Sequence, residues 1–215
     1  LSLLSPRVLV LACLAPACST HAQNMVAYPS FSDINICTEY SYPCAPSAWL
    51  SVAPNVGKLM YTAEERSKNR LITLTMHSSI NPLFRTYAQT QLLCPLRKGQ
   101  AYRVKIYAWS GASPFPYPGI AFDTAFVYRW SATPLQIPAA LHFTKEDEQG
   151  KKDKWTILEK TFVAPADAGY MIIGNFDTTL AERKGKTEYY LSVDSMAITP
   201  LSGKLCEDAK TMTAK

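Results

Sequence analysis

Between residues 24 and 202, apolar and polar positions alternate with period two in many short runs, and the 3.6-residue repeat of an amphipathic helix is almost absent. The clearest runs are residues 84–92 and 101–109. In the first, Phe84, Thr86, Ala88, Thr90 and Leu92 fall on one face, with Arg85, Tyr87, Gln89 and Gln91 on the other. In the second, Tyr102, Val104, Ile106 and Ala108 alternate with Arg103, Lys105, Tyr107 and Trp109. Successive strand side chains point to opposite sides, so this pattern predicts two half-buried strands. The basic turn Arg97–Lys98–Gly99 between them predicts a hairpin that presents both polar faces together.

Further strands are expected over residues 24–31, 49–52, 71–76, 120–128, 135–143, 155–163, 170–176 and 189–198. Prolines make residues 33–54 a loop-rich opening that leads into Trp49. Thr62 followed by Glu64 and Glu65 suits one helical turn. The loop Pro114–Phe115–Pro116–Tyr117–Pro118 is stiff, and holds its two rings either outward as a stacking platform or folded back as a plug. Residues 145–154 and 181–188 read as charged, solvated turns. Many short strands between turn signals predict an all-β fold, an antiparallel β-sandwich forming a single domain over residues 24–202. Residues 203–215 are a polar tail or the start of a linker.

Composition narrows the picture. Of 215 residues, 47% are hydrophobic and 18% charged, which excludes a disordered chain. The net charge of +5 is spread along the sequence without a basic run interleaved with aromatics, so nucleic acid is not an expected partner. Arg7 precedes the apolar run Val8–Ala15, and small residues follow through Ala22. That run is shorter than the ~20 residues of a membrane span and suits a signal peptide over residues 1–23. Lipid attachment at Cys18 is the alternative, with Ala15 a departure from the usual leucine. Export leaves Cys37, Cys44, Cys94 and Cys206, an even set that reads as two disulfides. Of the three pairings, Cys37–Cys44 with Cys94–Cys206 is the one expected.

The chemistry points to binding, not catalysis. His77 and His142 stand apart from each other and from any cysteine or aspartate signature. No nucleophile elbow, zinc-protease helix or phosphate loop is present. Asp123, Asp177 and Asp194 are the carboxylates a glycosidase would have to pair, and nothing in the sequence brings them together. A sugar site needs rings to stack on and planar groups to bond hydroxyls. Tyr87 and Trp109 supply the rings; Arg85, Gln89 and Gln91 supply the bonds. Asn175 and Asp177 join that face if their strand lies in the same sheet. The competing reading has these polar groups closing hydrogen bonds across the sheet.

Asn24–Ser32, Arg85–Leu92 with Pro95, Gly99 and Tyr102, Ile173–Phe176, and Tyr189–Met196 occur in the order found in jelly-roll modules of exported Bacteroidetes cell-envelope proteins, and the chain resembles that family across most of its length. The resemblance implies a jelly-roll sandwich similar to carbohydrate-binding and galactose-binding-like domains, often preceding an outer-membrane-protein-A-like domain. It implies a non-catalytic module contacting glycan or peptidoglycan, in the periplasm or at the outer membrane, without a transmembrane span in the mature chain. The alternative is a structural or protein-interaction domain working with outer-membrane proteins. Such modules hold a structural calcium where first and last strands meet. Here Asp33 and Asp194 are the candidate ligands, with Ser32 and Ser195 standing where the family has carboxylates. No other cofactor is implied.

Overall fold

The computed structural model describes residues 24–32, 34–36, 43–46, 48–52, 60–63, 70–81, 83–129, 134–177 and 188–202. Its strands, in chain order, are β1 (Ile34–Ile36), β2 (Pro43–Pro46), β3 (Trp49–Ser51), β4 (Met60–Ala63), β5 (Arg70–Ser78), β6 (Ala88–Leu96), β7 (Ala101–Trp109), β8 (Gly119–Asp123), β9 (Leu141–His142), β10 (Glu148–Lys152), β11 (Trp155–Val163), β12 (Ala168–Gly174) and β13 (Glu188–Pro200). A six-stranded sheet in the order β10-β11-β7-β13-β5-β4 faces a five-stranded sheet in the order β3-β6-β12-β8-β9, and β1 and β2 form a separate ribbon. All pairings are antiparallel. From β5 to β8 each strand lies in the sheet opposite its predecessor, and the pairs β5–β13, β7–β11, β6–β12 and β8–β9 interleave as in a jelly roll. The expected single β-sandwich is therefore what the chain forms. No helix among the described residues is long and apolar enough to cross a membrane.

The core lies between the sheets. Ile72, Leu74, Tyr102, Val104, Ile106, Leu158, Leu191 and Val193 enter from the six-stranded sheet, and Trp49, Leu92, Leu96, Ile120, Met171 and Ile173 from the other. Full burial of a Leu, Ile or Val side chain contributes about 1.5–3 kcal/mol, so these alternating faces hold the sheets together. In β13 the inward positions shift from Leu191 and Val193 to Met196 and Ile198, across a register break between Val193 and Ser195. A strand with period two can keep both halves inward only through such an extra residue.

Several expectations need correction. The two strands with the clearest alternation are not a hairpin: β6 belongs to the five-stranded sheet and β7 to the six-stranded one. Their link, residues 97–100, crosses between sheets and is fastened to the turn at 164–167 by Gly99 N–H to Ala164 O (2.8 Å) and Lys98 N–H to Asp167 Oδ1 (2.7 Å). The first segment is not a strand either. Tyr28 and Phe31 have φ of 46° and 52°, and only Val26 bridges to Leu92. Thr62 lies in strand β4 and not in a helical turn. Residues 145–154 are more than a solvated turn, because β10 and β11 pair around Asp153 and Lys154. Asp153 supplies the positive φ (55°) that this tight turn needs, and the lysines of β10 suit a solvent-facing edge strand.

Cys94 is disulfide-bonded. Cys37 and Cys206, the side chain of Cys44, and the N-terminal segment with Arg7 and Cys18 lie outside the described residues.

Candidate functional site

The outer face of the five-stranded sheet, where a sugar was expected to lie, is largely covered. Residues 124–129 and 134–139 pack over it, and Val52, Tyr87, Ala121, Leu135, Ile172 and Phe176 form a second small core there, with Val127 and Ile137 against it. Gln89 is fully buried, donating from Nε2 to Val127 O (2.5 Å) and accepting at Oε1 from Val127 N–H (3.1 Å). Tyr87 donates to Asn175 O (2.8 Å) and accepts from Leu135 N–H (3.3 Å). Arg85 donates to Asp177 O (2.5 Å), and Asn175 Nδ2 donates to Met76 O (2.6 Å). Buried polar groups must find such partners, and these four find them in the protein backbone. Arg85, Tyr87, Gln89 and Asn175 therefore hold the fold together through these bonds, and Asn175 also lines the end cleft described below. Strand β12, which leads to Asn175 and Asp177, does lie in the same sheet as β6, and it places Tyr170 opposite Gln91.

Among the described residues, the Gln91 end of this face is open. There, Ala48, Leu50, Gln91, Phe126 and Tyr170 line a shallow groove of about 230 Å³ over Gln89 and Thr90. Trp109 does not share it. Its strand is in the opposite sheet, so its ring lies on the other side of the sandwich.

A cleft of about 530 Å³ opens at one end of the sandwich. Four connections meet there: the proline-aromatic loop brings Phe115 and Tyr117, the end of β9 brings His142, the end of β5 brings His77, and the stretch after β12 brings Phe176 and Asp177. Tyr189 at the start of β13 completes the wall. The proline-aromatic loop is folded back on the end of the sandwich. Phe115 and Tyr117 pack back on the core with ring centroids 5.0 Å apart, and each remains half-exposed toward the cleft. Tyr117 donates to Glu148 Oε1 (2.5 Å), and burial together with that carboxylate raises its phenol well above the ordinary range. The hydroxyl is thus fixed as a donor and the ring face is left for stacking. His77 and His142, far apart in sequence, share this cleft with Asp177, which sequence reasoning missed. Strand ends gather at one pole of a sandwich, a relation that no local pattern reports.

Asp123, Asp177 and Asp194 do not converge. Asp123 lies opposite Tyr170 at one end of the β8–β12 pair and Asp177 follows three residues after Gly174 at the other end, the pair itself running about 14 Å at ~3.4 Å per residue. Asp194 sits at the bulge of β13 in the other sheet. Where the first segment meets β13, Asn24 Oδ1 accepts from Val26 and Ile198 N–H (both 3.0 Å) and Asn24 Nδ2 donates to Met196 O (3.0 Å). Asp33 lies outside the described residues, and among the described ones no group of three or more His, Cys, Asp or Glu could hold a metal ion. The described donors do not fit a calcium, which needs six to eight oxygens.

Burial also holds the Tyr87 phenol above its ordinary value of 10.0, against the lowering influence of Leu135 N–H and Arg85. The unfolded chain loses this proton near pH ~10 while the folded chain keeps it, so stability falls as pH rises above that point. Urea unfolding at about pH 8 and about pH 11 should show a smaller loss in Tyr87→Phe than in the native chain. Equal losses would assign the alkaline transition to other groups.

No family model matches the chain, and no curated protein matches it. Among solved structures it is similar to the N-terminal cellulose-binding domain of Cellulomonas fimi β-1,4-glucanase C (TM-score 0.46, 11% identity, 84% of this chain and 99% of that one). It is similar to the K1 cleaved adhesin domain of Lys-gingipain from Porphyromonas gingivalis (0.44, 15%, 80% and 96%). A third likeness is to the CBM22-1–GH10 modules of Clostridium thermocellum xylanase 10B complexed with xylohexaose (0.43, 11%, 85%), where the chain spans 28% of that structure's length. Likeness at this level extends to general shape and no further.

Proposed function

We propose that the chain is a non-catalytic binding module that takes a glycan of the bacterial cell envelope, with peptidoglycan the first candidate, at the cleft between Tyr117 and His142. The observation that carries this reading is the cleft itself: about 530 Å³, walled by the half-exposed rings of Phe115 and Tyr117 and edged by imidazole, phenol and carboxylate groups. Its volume is within the range of small-ligand sites, and its mixture of ring faces and a few polar atoms is what a saccharide requires. Among the described residues a single carboxylate, Asp177, lines it, whereas a glycosidase places two across its substrate. Export and placement in the periplasm or at the outer membrane belong to the same proposal, supported by the apolar run after Arg7.

Calorimetric titration with soluble peptidoglycan fragments and a panel of envelope polysaccharides tests it. Binding should weaken about tenfold in Tyr117→Ala, since a stacked ring contributes about 0.5–1.5 kcal/mol beyond the area it buries. No binding to any envelope saccharide, with a reproducible protein partner recovered by crosslinking, would replace this reading with the structural or protein-interaction one.

A further inference from the structure

Strand β11 carries an anomaly in its alternation. Thr156, Leu158 and Phe162 turn toward the core, and Lys160, on the same side of the strand, is a charged residue among them. Its ammonium has two partners. Nζ donates to the backbone oxygen of His142 (2.8 Å) at the end of β9 and to Asp147 Oδ2 (2.9 Å), whose side chain is only 14% exposed. Asp147 ends the single-turn helix Lys145–Asp147, and the same carboxylate oxygen accepts from Thr144 N–H (2.8 Å) and Thr144 Oγ1 (3.2 Å). The next residue, Glu148, accepts the hydroxyl of Tyr117 at Oε1 (2.5 Å). On the far side, Phe143 N–H donates to Pro118 O (3.0 Å), which ties the residue after His142 to the residue after Tyr117. The contacts therefore close a circuit. It runs from Tyr117 through Glu148, Asp147 and Lys160 to His142, and returns across the backbone bond between their neighbours.

Tyr117 and His142 are the walls between which the saccharide is proposed to lie, and neither Glu148 nor Lys160 lines the cleft. A wall held at one point can swing about it, whereas two walls joined on both sides keep one separation. The joints of this circuit are firm. Asp147 is fixed by three donors, and Glu148 enters β10 opposite Leu158, two residues before Lys160. The lysine's bonds are also better shielded than the Arg103–Glu159 pair on the outer side of β11, where the side chains are 50% and 29% exposed. We infer that Glu148 and Lys160 are positioning residues of the cleft: from outside it, they set the gap between the Tyr117 ring and His142. The inference rests on the cleft reading above, and its consequence is that a saccharide finds the walls already spaced. Once the circuit opens, the ligand must order them itself and affinity falls. An inward lysine can instead keep other chains off a free sheet edge, and β10 stops pairing with β11 at Leu158. That role leaves Tyr117 untouched by a change at Lys160, so the two are separable.

The test uses the full chain, with soluble peptidoglycan fragments titrated calorimetrically and the Tyr117 and His142 side-chain signals followed by NMR. Lys160→Met and Glu148→Ala should each weaken binding about fivefold. The double variant should also lose about fivefold, not the ~25-fold of independent changes, because either substitution opens the same circuit. Lys160→Met should move the Tyr117 signals, and Glu148→Ala those of His142, although neither residue bonds to the one it moves. Glu148→Gln, which keeps an oxygen acceptor for the Tyr117 hydroxyl, should stay within about twofold of the native chain. Glu159→Ala, which breaks the outer pair on the same strand, should leave affinity and both sets of signals unchanged. Circular dichroism checks folding, and Asp147→Ala, which opens the circuit at its middle, should repeat the result if Lys160→Met unfolds. Undiminished binding in either single variant, multiplying losses in the double one, signals that stay put across the circuit, or equal loss in Glu148→Gln and Glu148→Ala would each overturn the inference. Failure of the native chain to bind any fragment would sink the cleft reading instead, and the NMR signals would still decide whether the two walls are coupled.

Discussion

Replacing Gly174 by alanine is expected to cost the domain about 3 kcal/mol and to lower its melting temperature by about 5–10 °C, the largest effect among the described glycines. The added Cβ would collide with Cδ1 of Tyr87, and would stand 3.0 Å from Cε1 of the same ring and 3.1 Å from the carbonyl oxygen of Thr86. A flexible side chain could yield, but this ring has no freedom. Its hydroxyl is bonded at both lone pair and proton to Leu135 and Asn175, and its face lies 5.2 Å from Phe176. Gly174 also pairs with Gly119 across β12 and β8, where a Cβ would press on Phe176 and His142. Two opposed glycines thus let aromatic rings lie directly against the backbone beneath the cleft, so the substitution should disturb the shape of the cleft as well as stability. Differential scanning calorimetry of Gly174→Ala beside Gly111→Ala, whose surroundings are open, gives the comparison. If the two variants melt within about 2 °C of each other, Tyr87 is not held as tightly as its bonds imply.

How much of this was legible in the sequence depends on what alternation encodes. Strands β7, β11 and β13 were readable because each has one face in the core and one partly exposed. Alternation says which side of a strand is dry, but not which sheet the strand joins. Residues 97–100 read equally well as a hairpin turn and as a crossing between sheets, and that ambiguity placed Trp109 beside Gln91 when a whole sandwich separates them. Strand β10 was invisible because Glu148–Lys152 has no apolar residue to mark a face. The covering stretch misled in the opposite direction. Leu135 and Ile137 alternate as a strand would, yet they do so while packing on the outside of a sheet and forming no ladder until Leu141. A protein with a second small core outside its main one thus shows strand-like periodicity where there is no strand. The same covering stretch explains why the polar residues of the expected sugar face are buried.

Gln89 tests that explanation. Changing it to leucine should destabilise the protein by about 2–4 kcal/mol, although leucine is apolar and the site is fully buried. On hydrophobicity alone the change should be neutral or favourable, so the two views predict opposite signs. The amide of Gln89 copies a backbone: it offers Val127 one acceptor and one donor, as a neighbouring strand would, and so docks residues 124–129 onto the sheet without a ladder. Leucine would leave the Val127 N–H and C=O without their partners beneath the stretch that covers Ile172 and Ala121. Loss should therefore appear first as local opening, not as global unfolding. Amide exchange at Val127 and at Leu135 should accelerate by orders of magnitude in Gln89→Leu, while amides of β7 and β13 change only with global stability. The Gln91 groove, which shares Gln89 in its floor, should widen in the same variant, whereas the end cleft, held by Tyr87 and Asn175, should keep its shape and its ligand. Unchanged exchange at Val127 would mean that apolar packing alone holds the covering stretch down, and that the glutamine is there for something else.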